Sequence, residues 1–329
     1  MFRFTLAAVC FMAMAGSALP QDWKPVTEKL IIAEKPGSYN LCGVVVDHKN
    51  GDLFICLSDK GLYLSSDQGD SWKRLGTPFK GRTETPGCLM LDPFGGKRIV
   101  SAVVYGSPLV VSPDRGETIH LLDKKTTHLD WCAVDWSDPE LKFILTLKHE
   151  AADMLLVSRD GGKSFKEVGK GYGPAWIFDN KTAVIAQAKS KANPKPGIVR
   201  TTDAGETVNS SGEYYAKALP RWHKDRLYWI VEGALISTAD QGKSWQKISD
   251  LKDGRFGPIF GKSADHLFVL TGAGIVESTD GGKTWNKAIP MPKDFKGVSS
   301  NLTWVEYDPT RDTLYVMRMG TELYRWQRK

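Results

Sequence analysis

Three carboxylates stand out by the residues beside them. Glu84 follows Arg82 by two positions, Asp130 follows His128 by two, and Glu150 follows His149 directly. Two carboxyl groups about 5–10 Å apart can hydrolyse a glycoside, one giving a proton while the other attacks or activates water. Arginine and histidine recognise anionic groups, the first by a two-pronged fork, the second with a charge that changes near neutrality. Glu84, Asp130 and Glu150 are therefore the candidate catalytic groups. Arg82, His128, Arg221, His223 and Arg255 form the candidate binding set. A metal reading is also on offer: Cys42, Cys88 and Cys132 fall at matching points of successive segments, with His128 four residues before Cys132. Thiolate and imidazole suit copper(I) or zinc. Against it stand disulfides among Cys42, Cys56, Cys88 and Cys132, or simple burial of small apolar side chains. No metal and no cofactor is expected. There is no Cys-x-x-Cys, no glycine-rich phosphate loop, and no aromatic-interleaved basic run that would suggest nucleic acid.

What holds these residues is a repeat. "SSDQGDSW" places Ser65, Asp67, Gly69 and Trp72 at fixed offsets. The same pattern recurs at Asp114, Asp160, Asp203, Asp240 and Asp280, at intervals of 47, 46, 43, 37 and 40 residues. A period of this size marks a propeller or a solenoid. Each unit reads as three short apolar strands, then the motif, then a fourth short strand. In the first unit these are "LCGVVVD", "DLFICLS", "GLYLS" and "WKRL". Four short strands make one propeller blade. The motif then lies in the turn between the third and fourth strands. Its Asp accepts hydrogen bonds from backbone N–H groups just ahead, its Gly takes a backbone angle other residues resist, and its aromatic returns into the blade.

This motif resembles the Asp-box, or bacterial neuraminidase repeat, of the superfamily that includes sialidases, sortilin-type receptors, xyloglucanases and photosystem II assembly factors. The resemblance runs from Asp67 to Trp285. It implies an all-β propeller in which the six Asp-box aspartates lie at the periphery and are structural. It also implies a ligand site on the face where the inner strands begin. The sialidase pattern is incomplete, because the Arg-Ile-Pro signature is missing and the first inner strand, "YNLCGVVVD", has no arginine.

Six motifs do not limit the ring to six blades. After the last one, "NLTWVEYDP", "DTLYVMRM" and "TELYRWQ" match the first three strands of another unit. The N-terminal "DWKPVTEKLII" supplies the fourth, with Trp23 in the place of Trp72, so the expected fold is a seven-bladed β-propeller closed by Trp23–Ile32 beside Leu323–Trp326. Closure of this kind removes two exposed sheet edges. Residues 1–18 read as a signal peptide, with Arg3 ahead of an apolar run that ends in small residues. Residues 19–329 read as one propeller domain, secreted or periplasmic, monomeric and without a membrane span. With a net charge of +6 over 329 residues, composition demands no particular partner. The function expected is binding or assembly of a protein or glycan partner through the upper-face loops. The rival is a glycoside hydrolase, sialidase-like or otherwise carboxylate-based.

Overall fold

The fold is that of a computed structural model, which describes residues 23–188, 195–216, 218–295 and 302–328. Residues 1–18, read above as a signal peptide, lie outside the described residues. No helix among them is long and apolar enough to cross a membrane.

Seven antiparallel sheets follow one another around a ring. Blade 1 is Leu41–Val46, Leu53–Leu57, Gly61–Ser65 and Lys73–Arg74. The inner strands of the next six blades are Leu89–Leu91, Leu129–Val134, Tyr172–Ile177, Arg221–His223, Gly254–Phe260 and Thr303–Asp308. Inner strands such as Leu41–Val46 and Leu89–Leu91 are apolar on both faces, whereas Arg221–His223 and Thr303–Asp308 carry charged side chains. In blade 1 every residue of Leu41–Val46 and of Leu53–Leu57 is buried, as expected for strands packed between neighbouring sheets. Outer strands such as Lys73–Arg74 are exposed.

All six clips form as their residue types require. In the first, Gly69 N–H donates to Ser65 Oγ at 2.7 Å, Ser71 N–H donates to Asp67 Oδ1 at 2.9 Å, and Ser65 Oγ donates to the same oxygen at 2.7 Å. The other five repeat this network around Asp114, Asp160, Asp203, Asp240 and Asp280. The clip glycine is left-handed in each, with φ between +73° and +92°, a region where a Cβ is costly. In the three clips that end in tryptophan the indole reaches the preceding blade: Trp245 Nε1 donates to Ser211 Oγ, and Trp285 Nε1 to Ser249 Oγ. The aspartates sit outside the channel, as structural fasteners.

The N-terminus closes the ring, but by less strand than the sequence suggests. Lys24 and Pro25 pair with Arg325 and Tyr324, and Val26 N–H reaches Leu323 O at 2.9 Å. Thr27 then ends the strand, its hydroxyl donating to Glu322 and accepting from Leu323 N–H. Residues Glu28–Ile32, expected to continue the strand, lie instead in a helix, Glu28–Glu34. Pro25 has no N–H and fits an edge, and "EKLIIAE" is rich in helix formers. The proposed equivalence of Trp23 and Trp72 holds. Trp23 Nε1 donates to Pro290 O on blade 6, and Trp72 Nε1 donates to Val26 O on blade 7. Blade 6 has only three named strands, and its fourth edge is the single Ile275–Ile289 bridge.

Candidate functional site

The channel has two mouths. The upper one lies where the inner strands begin, the lower one where they end and where the clips sit outside them. Arg221 and Phe256 stand between the two, the guanidinium carbon 4.9 Å from the ring centre.

At the upper mouth, blades 2 and 3 bring seven side chains together. The Arg82 backbone pairs with Val104, which delivers Tyr105 onto Arg82. The guanidinium is sandwiched, 4.3 Å from the Tyr39 ring centre and 4.6 Å from that of Tyr105, and it forms an ion pair with Glu84 at 2.5 Å. In blade 3 the pairing shifts between Leu129 and Trp131, and this irregularity falls on Asp130. A bulge re-aims a side chain, and here Asp130 Oδ1 meets His149 Nδ1 at 2.6 Å. His149 Nε2 lies 3.0 Å from the Tyr105 hydroxyl, which donates to Glu150 at 3.0 Å. His128 packs edge-on to Tyr105. Burial raises the Asp130 carboxyl above its ordinary range, while His149 pulls it back and Glu84 pushes it further up. The hydrogen bond to Glu150 raises the Tyr105 phenol.

The sequence-predicted residues Arg82, Glu84, His128, Asp130 and Glu150 thus converge. Arg255 is at the same mouth but across it, bound by two nitrogens to its neighbour Asp253. A cavity of about 740 Å³ opens here, lined by Glu84, Asp130, Glu232, Asp253 and Arg255 among others. Of the charged residues in this lining four are acidic and one is basic, so the arginine and histidine candidates do not make this cavity positive.

Arg221 and His223 are not on the upper rim. The inner strand of blade 5 is only Arg221–His223 and turns at once into Arg226–Val231, so His223 lies at the lower end. Its ring stacks on Phe260 at 3.9 Å, and burial holds its imidazole below the ordinary range. Arg221 faces Glu306 at 3.6 Å in the channel.

The sulfur site fails as a set. All four cysteines are free and buried, and Cys42 Sγ donates to Cys56 O at 3.4 Å. His128 is at the rim beside Thr127 and Tyr105. Among the described residues, the one group of metal-ligand types brought within 4.8 Å is Glu84, Asp130 and His149.

Tyr39 and Tyr105 are the functional candidates that sequence reasoning missed. Both are large aromatics left exposed, at 48% and 45%, in a chain that buries most of its apolar surface. The available signal was an aromatic in a loop carrying Gly106 and Pro108.

Seven radial sheets, six of four strands and one of three, with six Asp-box clips fastening them, define the class: the chain is a BNR-type β-propeller. The BNR/Asp-box repeat model matches residues 276–287, the unit around Asp280. No curated protein matches the chain. Among solved structures, YCF48 bound to D1 peptide is similar at 15% identity, over 89% of this chain and 95% of that one, with a TM-score of 0.51. The extracellular domain of the hybrid two component system BT4673 from B. thetaiotaomicron is similar at 9% identity, over 93% of this chain and 40% of that one, with a TM-score of 0.56. An ancestral GH74 enzyme is similar at 16% identity, over 92% of this chain and 46% of that one, with a TM-score of 0.50. Identities this low speak to the fold alone.

Proposed function

We propose that the chain is an exported binding protein whose upper mouth holds a positively charged segment of a protein partner. The observation that carries this is the backbone under the cluster. Tyr39, Tyr105, His128 and Glu150 have φ of +69°, +53°, +59° and +53°. Left-handed backbone costs a residue with a Cβ about 1–2 kcal/mol. Left-handed side-chain residues also occur in the clips, at Gln68, Arg115, Ala204 and Gln241, so what sets this mouth apart is that four of them carry the side chains of one contact cluster. The charges support the same reading. Arg82 is neutralised by Glu84, Asp130 is matched to His149, and Arg255 to Asp253, which leaves the lining with Glu232 in addition. A similar propeller, YCF48, has been solved with a peptide bound.

The test is fluorescence anisotropy with labelled peptides graded by net charge. Basic peptides should bind best and weaken as salt rises from about 50 to 500 mM, because exposed charge contacts are screened. The double change Glu84→Gln, Glu232→Gln should abolish the preference. Equal binding of acidic and basic peptides would overturn the reading. Export is tested separately, by finding the mature N-terminus at Leu19 in the extracytoplasmic fraction.

Glycoside hydrolysis is the second reading, favoured by the convergence of Glu84 and Asp130 with His149 within 4.8 Å. It ranks second because Glu84 is already bound to Arg82, and Tyr39 and Tyr105 both pack against that same guanidinium rather than offering a bare platform for a sugar. Turnover of aryl glycosides, lost in both Asp130→Asn and Glu84→Gln, would promote it.

A further inference from the structure

The lower mouth holds a second cavity, of about 450 Å³, which nothing in the proposed function uses. Five basic or imidazole side chains line it: His48, Lys49, Arg221, His223 and Lys224. Three carboxylates also reach it, but two of them are spent. Asp47 is paired with Arg115, and Asp92 with Arg98 at 2.9 Å. Only Glu306 faces the cavity cations directly, 3.6 Å from Arg221. Burial pushes the Glu306 carboxyl up to about 7, and Arg221 offsets only part of that push. Near neutrality its opposition to an anion is therefore incomplete.

The remaining wall is apolar. Trp222 stacks on Trp176 with ring centres 6.1 Å apart, Phe260 lies under His223, and Phe94 stands 57% exposed at the rim. A buried guanidinium is expensive unless its donors are used. Nε and Nη2 of Arg221 find no hydrogen-bond acceptor among the described residues, and the same holds for Nε1 of Trp222 and Nε2 of His223. A cavity of a few hundred Å³ with apolar walls and a few convergent polar groups is the usual form of a small-molecule site.

We propose that the lower cavity binds a small organic oxyanion, its carboxylate or phosphate head toward Arg221, Lys49 and Lys224 and an aromatic or other apolar body against Phe94, Trp222 and Phe260. This site is independent of the upper mouth. The experiment is isothermal titration of the full chain with phenylacetate, phenyl phosphate, inorganic phosphate and, as a neutral control, benzyl alcohol. The two aromatic anions should saturate one site. Preference between them identifies the head group, and inorganic phosphate should bind about tenfold more weakly for want of the apolar body. Arg221→Gln should weaken the aromatic anions at least ~10-fold, and Glu306→Gln should tighten them about threefold. If Arg221→Gln does not fold, the double change Lys49→Gln, Lys224→Gln, in exposed turns, should still weaken them about fivefold. Arg82→Gln, at the upper mouth, should leave them unchanged. The proposal is overturned by no saturation below about 10 mM, by benzyl alcohol binding as well as the anions, or by loss in Arg82→Gln alone.

Discussion

The same seven inner strands make both mouths, yet the two ends are constructed differently. At the lower end an aspartate secures five of the turns by which the inner strands leave. Asp47, Asp92, Asp135, Asp179 and Asp308 accept a backbone N–H two residues on, at 2.8 to 3.0 Å. Those carboxylates are occupied by their own turns and by Arg115, Arg98 and Arg311. The cations left over face the cavity. At the upper end some blades are entered through long segments, such as residues 75–88 before blade 2, and others through short ones, such as 170–171 before blade 4. There the carboxylates Glu84, Asp130 and Glu232 reach the cavity itself, and residues with side chains occupy left-handed backbone. Left-handed side-chain residues occur at both ends, Lys224 at φ +57° in the lower cavity and Tyr39, Tyr105, His128 and Glu150 clustered at the upper one. Charge type at a propeller mouth thus depends on whether turn formation consumes the acids.

The largest expected effect tests the partition between the mouths. Arg221→Ala leaves Glu306 buried without its cation, which typically costs about 3–5 kcal/mol. The sign with pH follows from the raised carboxyl. Glu306 is raised from 4.5 to about 7 in the folded chain, so its ionisation opposes folding, and that penalty is absent while it stays protonated. Without Arg221 the folded value rises further. Wild type and variant therefore diverge as pH rises through 7. Urea unfolding at pH 5.5 and pH 8 should show the larger deficit at pH 8. Equal deficits would mean that Arg221 stabilises by packing on Phe256, and that the ion pair does not separate the mouths.

A smaller effect is expected at the clips, which ring the lower face without joining its cavity. Asp160→Asn should lower stability by about 1–2 kcal/mol through weakened bonds to Ser164 and Ser158. Ligand affinity at both mouths should stay unchanged. The Ser164 hydroxyl bond, against some burial and aided by backbone N–H bonds, holds the Asp160 carboxyl down at about 2. A depressed carboxyl contributes above its unfolded value of 3.8 and ceases to contribute as pH falls through 2. The gap between Asp160→Asn and wild type should therefore close between pH 4 and 2 in thermal melts. Loss of either ligand in this variant would erase the distinction between fastener and mouth.

Legibility from sequence followed how local each feature is. A clip closes within eight residues through its own hydrogen bonds, so Asp67 and its five counterparts were readable, and with them the blade count. Trp23 could be matched to Trp72, but the helix at Glu28–Glu34 was hidden by apolar residues that suit a strand equally well. Arg82, Glu84, His128, Asp130 and Glu150 were found because loop position puts them at one rim. Arg221 and His223 were misplaced because residues 213–220 look like a rim loop that continues through them, whereas the inner strand starts at Arg221 and ends at His223. Tyr39 and Tyr105 were missed because what turns them onto Arg82 is a positive φ, and residue type gives little hint of it.

The smallest effect on stability is also the most direct test of the strain reading. His128 is exposed, has φ +59°, and carries its ring edge-on to Tyr105. Glycine takes this backbone angle without the clash of a Cβ, although the unfolded chain gains freedom. His128→Gly should therefore raise stability by about 0.5–1 kcal/mol net. It should also weaken the basic peptide at the upper mouth by about 3–10-fold, since Tyr105 loses the imidazole packed on it. The oxyanion at the lower mouth should be unaffected. Stability rising while upper-mouth binding falls is the pattern of a residue kept for a task at a cost to the fold. If stability and binding both hold, His128 belongs to the loop and not to the site. If stability falls, its backbone is supported by contacts worth more than the strain, and the argument from left-handed residues must then stand on Tyr39, Tyr105 and Glu150, tested in the same way.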